Sequence, residues 1–262
     1  MGKTIVIKYG GSAMQSEELK TGVLEDVVRL TAEAEVVLVH GGGPEISALQ
    51  KRLGTEPRFV DGLRYTDERT IEAVLMALCG KVNKDLVRLL ENAGGKAAGI
   101  SGIDGGLLTC SRIIEPDIGF VGEIREVCTD LIVTLLSAGY TPVVSTLGLG
   151  DDGLAYNINA DTAAGRIAAS LSADFYVTIS DVPGVLSDKD DPASLIPEVR
   201  ISDIETMIES GVITGGMIPK ARGLADAVIR GAGAAQIVDG RIPHVLGKCM
   251  DGSCTGTRFV SG

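Results

Sequence analysis

The feature that most constrains this chain is a rhythm. Short apolar, β-branched runs recur at residues 4–8, 35–40, 96–101, 140–146, 174–180 and 234–239, and between most of them lie longer stretches with helical spacing. Runs that stay apolar without polar alternation read as strands buried on both faces, and parallel strands need helical crossovers between them. The pattern predicts an α/β fold, a three-layer αβα sandwich around a mainly parallel sheet. The clearest helix follows Thr66-Asp67, a good start signal, and carries Ile71, Val74, Leu75, Leu78, Val82, Leu86, Leu89 and Leu90 at steps of three and four before Gly94-Gly95 stops it. At roughly 27 residues it would run ~40 Å, long for a domain of this size, and it is expected to pack against a second subunit.

Further helix starts are Ser16 before Glu17-Glu18, Asn159 to Asp161 before residues 162–172, and a capping box from Ser202 to Glu205. Residues 102–122 and 148–153 read as hairpins or loops. There is no repeat and no linker rich in Pro or Ser. A soft boundary near 172–180 divides the chain into an expected amino-terminal lobe, residues 1–175, and a carboxy-terminal lobe, residues 176–262.

Charge and cysteine usage narrow the function classes. The 24 Lys and Arg against 35 Asp and Glu leave a net charge of −11, so nucleic acid and anionic membranes are not expected partners. Ile5-Val6-Ile7 is interrupted by Lys8, too short for a signal-peptide core, and no run approaches the ~18 apolar residues of a membrane span. The five cysteines are odd in number with no C-x-x-C pair and no histidine placed to complete a zinc set. Reduced thiols, a cytoplasmic location and no protein-held metal are the expectation.

Glycine, 35 of 262 residues, is scattered without period, which points to tight turns and backbone-lined sites. Two familiar phosphate motifs fail on context. Gly2-Lys3-Thr4 lacks the upstream strand of a P-loop, and the G-x-G-x-x-G of residues 148–153 holds two carboxylates and opens no helix. Two other clusters each follow an apolar strand and precede a helix, where free N–H groups and the helix dipole favour an anion. These are Lys8-Tyr9-Gly10-Gly11-Ser12 and His40-Gly41-Gly42-Gly43-Pro44. If the two strands are neighbours in a parallel sheet, both clusters line one crevice at its carboxyl edge. Plain turns explain some of the glycines but not Lys8, whose unpaired ammonium would be costly to bury and which suits a phosphoryl group. His40 ends an apolar strand and reads better as a packed residue than as a base.

Asn157, Asn159 and Asp161 alternate just before a helix, so an extended segment would turn all three to one face; helix capping is the competing reading. Lys220 follows Gly215-Gly216 at another helix start, where a positive charge opposes the dipole unless an anion compensates. Arg64, before the long helix, has the geometry to hold a carboxylate bidentately. Residues 180–186, Ser-Asp-Val-Pro-Gly-Val-Leu, leave a strand through a turn that suits either a nucleotide base or an ordinary hairpin.

The ordered set of Lys8 to Gly11, His40 to Pro44, Gly62 to Asp67, Gly80-Lys81-Val82-Asn83-Lys84, Asn157 to Asp161, Ser180 to Leu186 and Gly215 to Lys220 resembles the amino acid kinase family over residues 5–260. Within it, the resemblance is to the members that phosphorylate N-acetyl-L-glutamate. It implies an amino-acid lobe followed by an ATP lobe, with γ-phosphoryl transfer from Mg-ATP to the side-chain carboxylate of N-acetyl-L-glutamate, a step of arginine biosynthesis. By the same resemblance Lys8 and Lys220 stabilise the transferring group and Asp161 orients them. Gly42 and Gly43 offer N–H groups to the substrate, Gly10 and Gly11 line the phosphate path, and Arg64, Asn157 and Asn159 hold the substrate. Asp181, Val182, Pro183, Gly184, Val185 and Leu186, with Val212, Ile213 and Thr214, border the nucleotide. Because the first strand begins by Thr4, a homodimer insensitive to arginine is expected, where arginine-inhibited hexameric members carry an extra amino-terminal helix. Rival expectations are another carboxylate kinase of the family, acting on carrier-linked aminoadipate or glutamate, and a non-catalytic nucleotide or amino-acid sensor.

Overall fold

The structure is a computed structural model that describes residues 2–10, 16–250 and 256–261. In chain order the elements are β1 (Lys3–Tyr9), α1 (Glu17–Leu30), β2 (Ala34–His40), α2 (Gly43–Arg52), β3 (Phe59–Val60), β4 (Leu63–Arg64) and α3 (Glu68–Leu75). A π-helical segment, Met76–Val82, leads into α4 (Asn83–Asn92), then β5 (Ala97–Ser101), β6 (Leu108–Arg112), β7 (Gly122–Val127), α5 (Asp130–Ser137) and β8 (Thr141–Ser145). The remainder is β9 (Leu147–Gly150), β10 (Ala155–Asn157), α6 (Ala160–Ser170), β11 (Phe175–Ser180), β12 (Glu198–Arg200), α7 (Ile204–Glu209), α8 (Met217–Ile229), β13 (Ala234–Asp239), α9 (Val245–Met250) and β14 (Gly256–Val260). All six apolar runs are strands, and the mainly parallel sheet flanked by helices is the αβα arrangement that their rhythm predicts.

The chain forms two compact units, Met1–Val36 with Ala164–Gly262, and Val37–Ala163. In the first, strands run in the order β12-β14-β13-β11-β1, parallel except for β13 against β14. Ile5, Val6 and Ile7 are fully buried, as a strand covered on both faces requires. In the second, β2-β8-β5 are parallel, and an antiparallel-rich sheet of order β10-β9-β6-β7 lies beside them in sequence. The G-x-G-x-x-G segment is the end of β9 and the turn into β10, a hairpin whose next element is a strand and not a helix.

The long helix starts where expected, with the Asp67 carboxylate accepting the Thr70 N–H at 2.8 Å, and ends at Ala93 before left-handed Gly94. Its centre is not plain α-helix. Buried Val74, Leu78, Val82, Leu86 and Leu90 sustain steps of four, and at 3.6 residues per turn each such step drifts about 40° around the axis. The wider π turn over Met76–Val82 takes up that drift and keeps the stripe against the core. Ser16 caps α1 as predicted, its Oγ accepting from the Leu19 N–H. The capping box at Ser202 does not form: residues 201–203 are a 3₁₀ turn, and the Glu205 carboxylate is taken by a two-point ion pair with Arg222 at 2.8 and 2.9 Å. Cys79, Cys110 and Cys128 are free thiols while Cys249 is disulfide-bonded, which departs from the expectation of five reduced thiols.

Candidate active site

The second unit holds a cleft of about 160 Å³ lined by Gly41, Gly42, Gly43, Arg64, Asn157 and Asn159, with Phe59, Leu63 and Leu78 among its apolar walls. The glycines sit where β2 runs into α2, and the space there is tight. A Cβ on Gly42 would lie 2.7 Å from Leu78 Cδ2 and 3.0 Å from Val82 Cγ2, so only glycine lets the loop pass the π segment. Pro44 occupies the first turn of α2, as its missing N–H allows.

Arg64 is buried at 7% exposure, and its guanidinium donates to Gln50 Oε1 (2.6 Å), the Gly43 carbonyl (2.9 Å) and Ser47 Oγ (2.9 Å) while stacking 4.8 Å from the Phe59 ring. Three of its five N–H donors are therefore spent on fixing the charge at the cleft wall. Asn157 Nδ2 contacts Thr66 Oγ1 at 3.4 Å. Asn159 is the cap of α6, its Oδ1 accepting from the N–H groups of Asp161 and Thr162 at 3.0 Å. The alternation of Asn157, Asn159 and Asp161 breaks here: the strand ends at Asn157, and Asp161 lies in the first turn of α6, outside the cleft lining.

His40 is fully buried and structural. Burial pushes its imidazole down to about 4, and the nearby Lys84 ammonium works in the same direction, outweighing the Gly41 carbonyl bond. It is a neutral ring at pH 7, as its place at the end of an apolar strand suggests.

The first unit holds a larger cleft, about 430 Å³, lined by Asp181 to Leu186, Val212, Thr214 and Lys220. Ile213 does not line it; the side chain is buried and its N–H bonds the Met207 carbonyl. Lys189, Met217 and Arg241 also line the cleft and carried no sequence signal. The Arg241 guanidinium is bound at two points by the Asp239 carboxylate, at 2.7 and 2.8 Å. Lys220, in the first turn of α8, donates from Nζ to Ser180 Oγ at 2.8 Å and lies 3.5 Å from Asp181 Oδ1. Partial burial raises the Asp181 carboxyl, but its backbone bond, the Lys220 charge and the Ser180 hydroxyl together hold it below the usual carboxylate range.

Lys8 belongs to the same unit. Its Cα pairs with Thr178 on β11, two residues before Ser180, so Lys8 and the seat of the Lys220 ammonium lie on one face of two neighbouring strands near their carboxyl ends. Gly10 follows β1 and is buried; Gly11 lies outside the described residues.

Within one unit, Lys8 and the seat of Lys220 lie near the carboxyl ends of two parallel strands and Lys220 lines a cleft of about 430 Å³, and the other unit by itself holds a cleft of glycines and one arginine; these define a phosphotransferase-like αβα protein. The model of the amino acid kinase family matches residues 3–239, and the chain belongs to that family. It is 50% identical over 246 residues to the acetylglutamate kinase of Clostridioides difficile (strain 630), covering 94% of this chain and 86% of the relative. It is 49% identical to the acetylglutamate kinase of Actinobacillus pleuropneumoniae serotype 3, covering 98% and 90%. In fold it is similar to a carbamate kinase from Giardia lamblia bound to AMP-PNP, with a TM-score of 0.72, 18% identity and coverage of 100% and 99% of the two chains.

Proposed function

We propose that this chain is an ATP-dependent phosphotransferase that moves the γ-phosphoryl group of ATP to the side-chain carboxylate of N-acetyl-L-glutamate, giving N-acetyl-L-glutamyl 5-phosphate and ADP in arginine biosynthesis. The observation that carries this reading is the near full-length match to acetylglutamate kinases at about half identity. The cleft of the second unit takes the amino acid, with Arg64 and Asn157 toward its carboxylate and polar atoms and the Gly42 and Gly43 N–H groups toward the reacting end. The cleft of the first unit takes the nucleotide.

Phosphoryl transfer is mostly positioning and charge stabilisation. Lys8 and Lys220 supply positive charge to the migrating group. The acceptor carboxylate is already ionised at pH 7 and needs no general base, so a buried neutral His40 costs the reaction nothing. Magnesium is expected to arrive on the nucleotide, because a hard ion takes oxygen ligands from phosphates and water. Among the described residues no group of three or more His, Cys, Asp or Glu is placed to hold a metal. Met76, at the start of the π segment between α3 and α4, is 57% exposed, which fits this helix as the contact of a homodimer.

The reading is tested by coupled ADP release with N-acetyl-L-glutamate, glutamate, aspartate and carrier-linked aminoadipate as acceptors. Turnover confined to N-acetyl-L-glutamate is expected, and preference for another acceptor would sink it. Light scattering with and without arginine tests the dimer. Among the described residues no helix is long and apolar enough to cross a membrane.

A further inference from the structure

We propose that His40 and Asn83 form a positioning pair that locks the Gly41 carbonyl and so aims the Gly42 N–H into the amino-acid cleft. This rests on the reading of that cleft as the acceptor site.

The Asn83 amide has a fixed orientation. The side chain is buried, its Oδ1 accepts from Lys84 Nζ at 3.0 Å, and its Nδ2 donates to the Val143 carbonyl at 2.8 Å and the Ile100 carbonyl at 3.2 Å. Two carbonyls on the nitrogen side and an ammonium on the oxygen side leave no freedom to exchange O for N. Nδ2 also faces His40 Nε2 at 3.1 Å; with one of its two hydrogens on the Val143 carbonyl and the other shared between Nε2 and the Ile100 carbonyl, a second donor at that ring position would be opposed, so Nε2 is the acceptor and unprotonated. The ring proton of neutral His40 then sits on Nδ1, which donates to the Gly41 carbonyl at 2.8 Å. A protonated ring would set N–H against N–H at Asn83, and the burial that holds the imidazole neutral agrees with this assignment. Gly99 makes room for the pair, since a Cβ there would overlap Asn83 Oδ1.

The consequence falls on the glycine loop. A trans peptide points its C=O and N–H in opposite directions, so anchoring the Gly41 oxygen behind the loop turns the Gly42 N–H the other way. The loop is polarised throughout. The Gly41 oxygen is held by His40, the Gly42 oxygen by the Ile46 N–H at 2.9 Å, and the Gly43 oxygen by Arg64 at 2.9 Å. The N–H groups of Gly42 and Gly43 have no protein acceptor among the described residues, and both glycines line the cleft. Such donors stabilise developing charge only if their direction is set beforehand. His40 is thus a positioning residue and not a base.

The chain has only two histidines, so a ¹⁵N-histidine NMR spectrum is simple to assign. At pH 7 one ring is expected to carry its proton on Nδ1 with Nε2 bare, and His40→Leu should erase that signal. Turnover is then compared in His40→Leu and His40→Asn, each checked for folding by thermal melt. Asn can place its amide N–H where Nδ1–H stands, whereas Leu fills the space without a donor. His40→Leu is expected to lose about a hundredfold in kcat with the KM for ATP unchanged, the scale of one lost oxyanion-type donor. His40→Asn should recover at least tenfold of that. A packing role would give the reverse order, because Leu fits an apolar site better than Asn; that result, or an Nε2-protonated or charged ring at pH 7, overturns the proposal. If the parent protein releases no ADP with N-acetyl-L-glutamate, the acceptor reading fails and takes the positioning role with it.

Discussion

Replacing Lys220 by Ala removes one of the two charges assigned to the migrating phosphoryl group, and the structure bounds the effect. The Nζ group is seated 2.8 Å from Ser180 Oγ at the nucleotide cleft, with 28% of its side chain exposed. Two unit charges about 4 Å apart interact by about 4 kcal/mol at an effective dielectric of 20 and about 1 kcal/mol in water. Partial exposure puts Lys220 between these limits, at about 3 kcal/mol. At 1.36 kcal/mol per decade this is about a hundredfold in rate. Because the charge on the moving group is what Lys220 meets, the loss should fall on kcat, with the KM for ATP changed only a few fold. The fold should survive: the Lys220–Asp181 pair is partly solvated at 3.5 Å, and such pairs contribute at most about 1 kcal/mol. A coupled ADP-release assay at saturating acceptor, with a thermal melt as control, reads both. Turnover within threefold of the parent in a folded Lys220→Ala protein would refute the electrostatic role.

Arg64→Ala should raise the KM for the amino-acid substrate by more than tenfold. It should also destabilise the protein by about 2 kcal/mol, since the Gly43 carbonyl and Gln50 Oε1 lose a buried donor; urea unfolding measures the second effect. Asp67→Ala removes the cap of the long helix and should cost about 1 kcal/mol of stability with kcat intact, read by the same urea titration. His40 makes stability depend on pH: its native ring protonates near 4 and the unfolded ring near 6.5, so the unfolded state takes up the extra proton in between. The stabilisation is complete above about pH 6.5, is lost as pH falls, and is gone below about 4; by pH 5 about 2 kcal/mol of it has been lost. Unfolding free energies from urea titrations at pH 7 and pH 5 should differ by that amount in the parent and by clearly less in His40→Leu.

Much of the fold is legible in the residues. The six apolar runs are strands because a segment buried on both faces has no other composition open to it, and Ser16, Asp67 and Asn159 cap helices because their short side chains reach a free N–H two or three residues on. The failures share a cause. Ser202 and Glu205 have the spacing of a capping box, but Arg222, 17 residues on from Glu205, competes for the carboxylate and wins with two hydrogen bonds. The alternation of Asn157, Asn159 and Asp161 assumes an extended segment, whereas the strand ends at Asn157. Asn83 stands in the Gly80 to Lys84 motif, yet nothing local marks it as the partner of His40, 43 residues away.

The chain's own residues, read in order, settle the class of fold and the glycine turn between β2 and α2, because local burial and turn chemistry act within a few residues. Only the folded chain decides that Met1–Val36 groups with Ala164–Gly262, that Lys220 reaches Ser180 from 40 residues away, and that Asn83 sets the tautomer of His40. Those outcomes depend on which strands pair and in which register. That choice is made by the packing of the whole core and is carried by no single stretch of sequence.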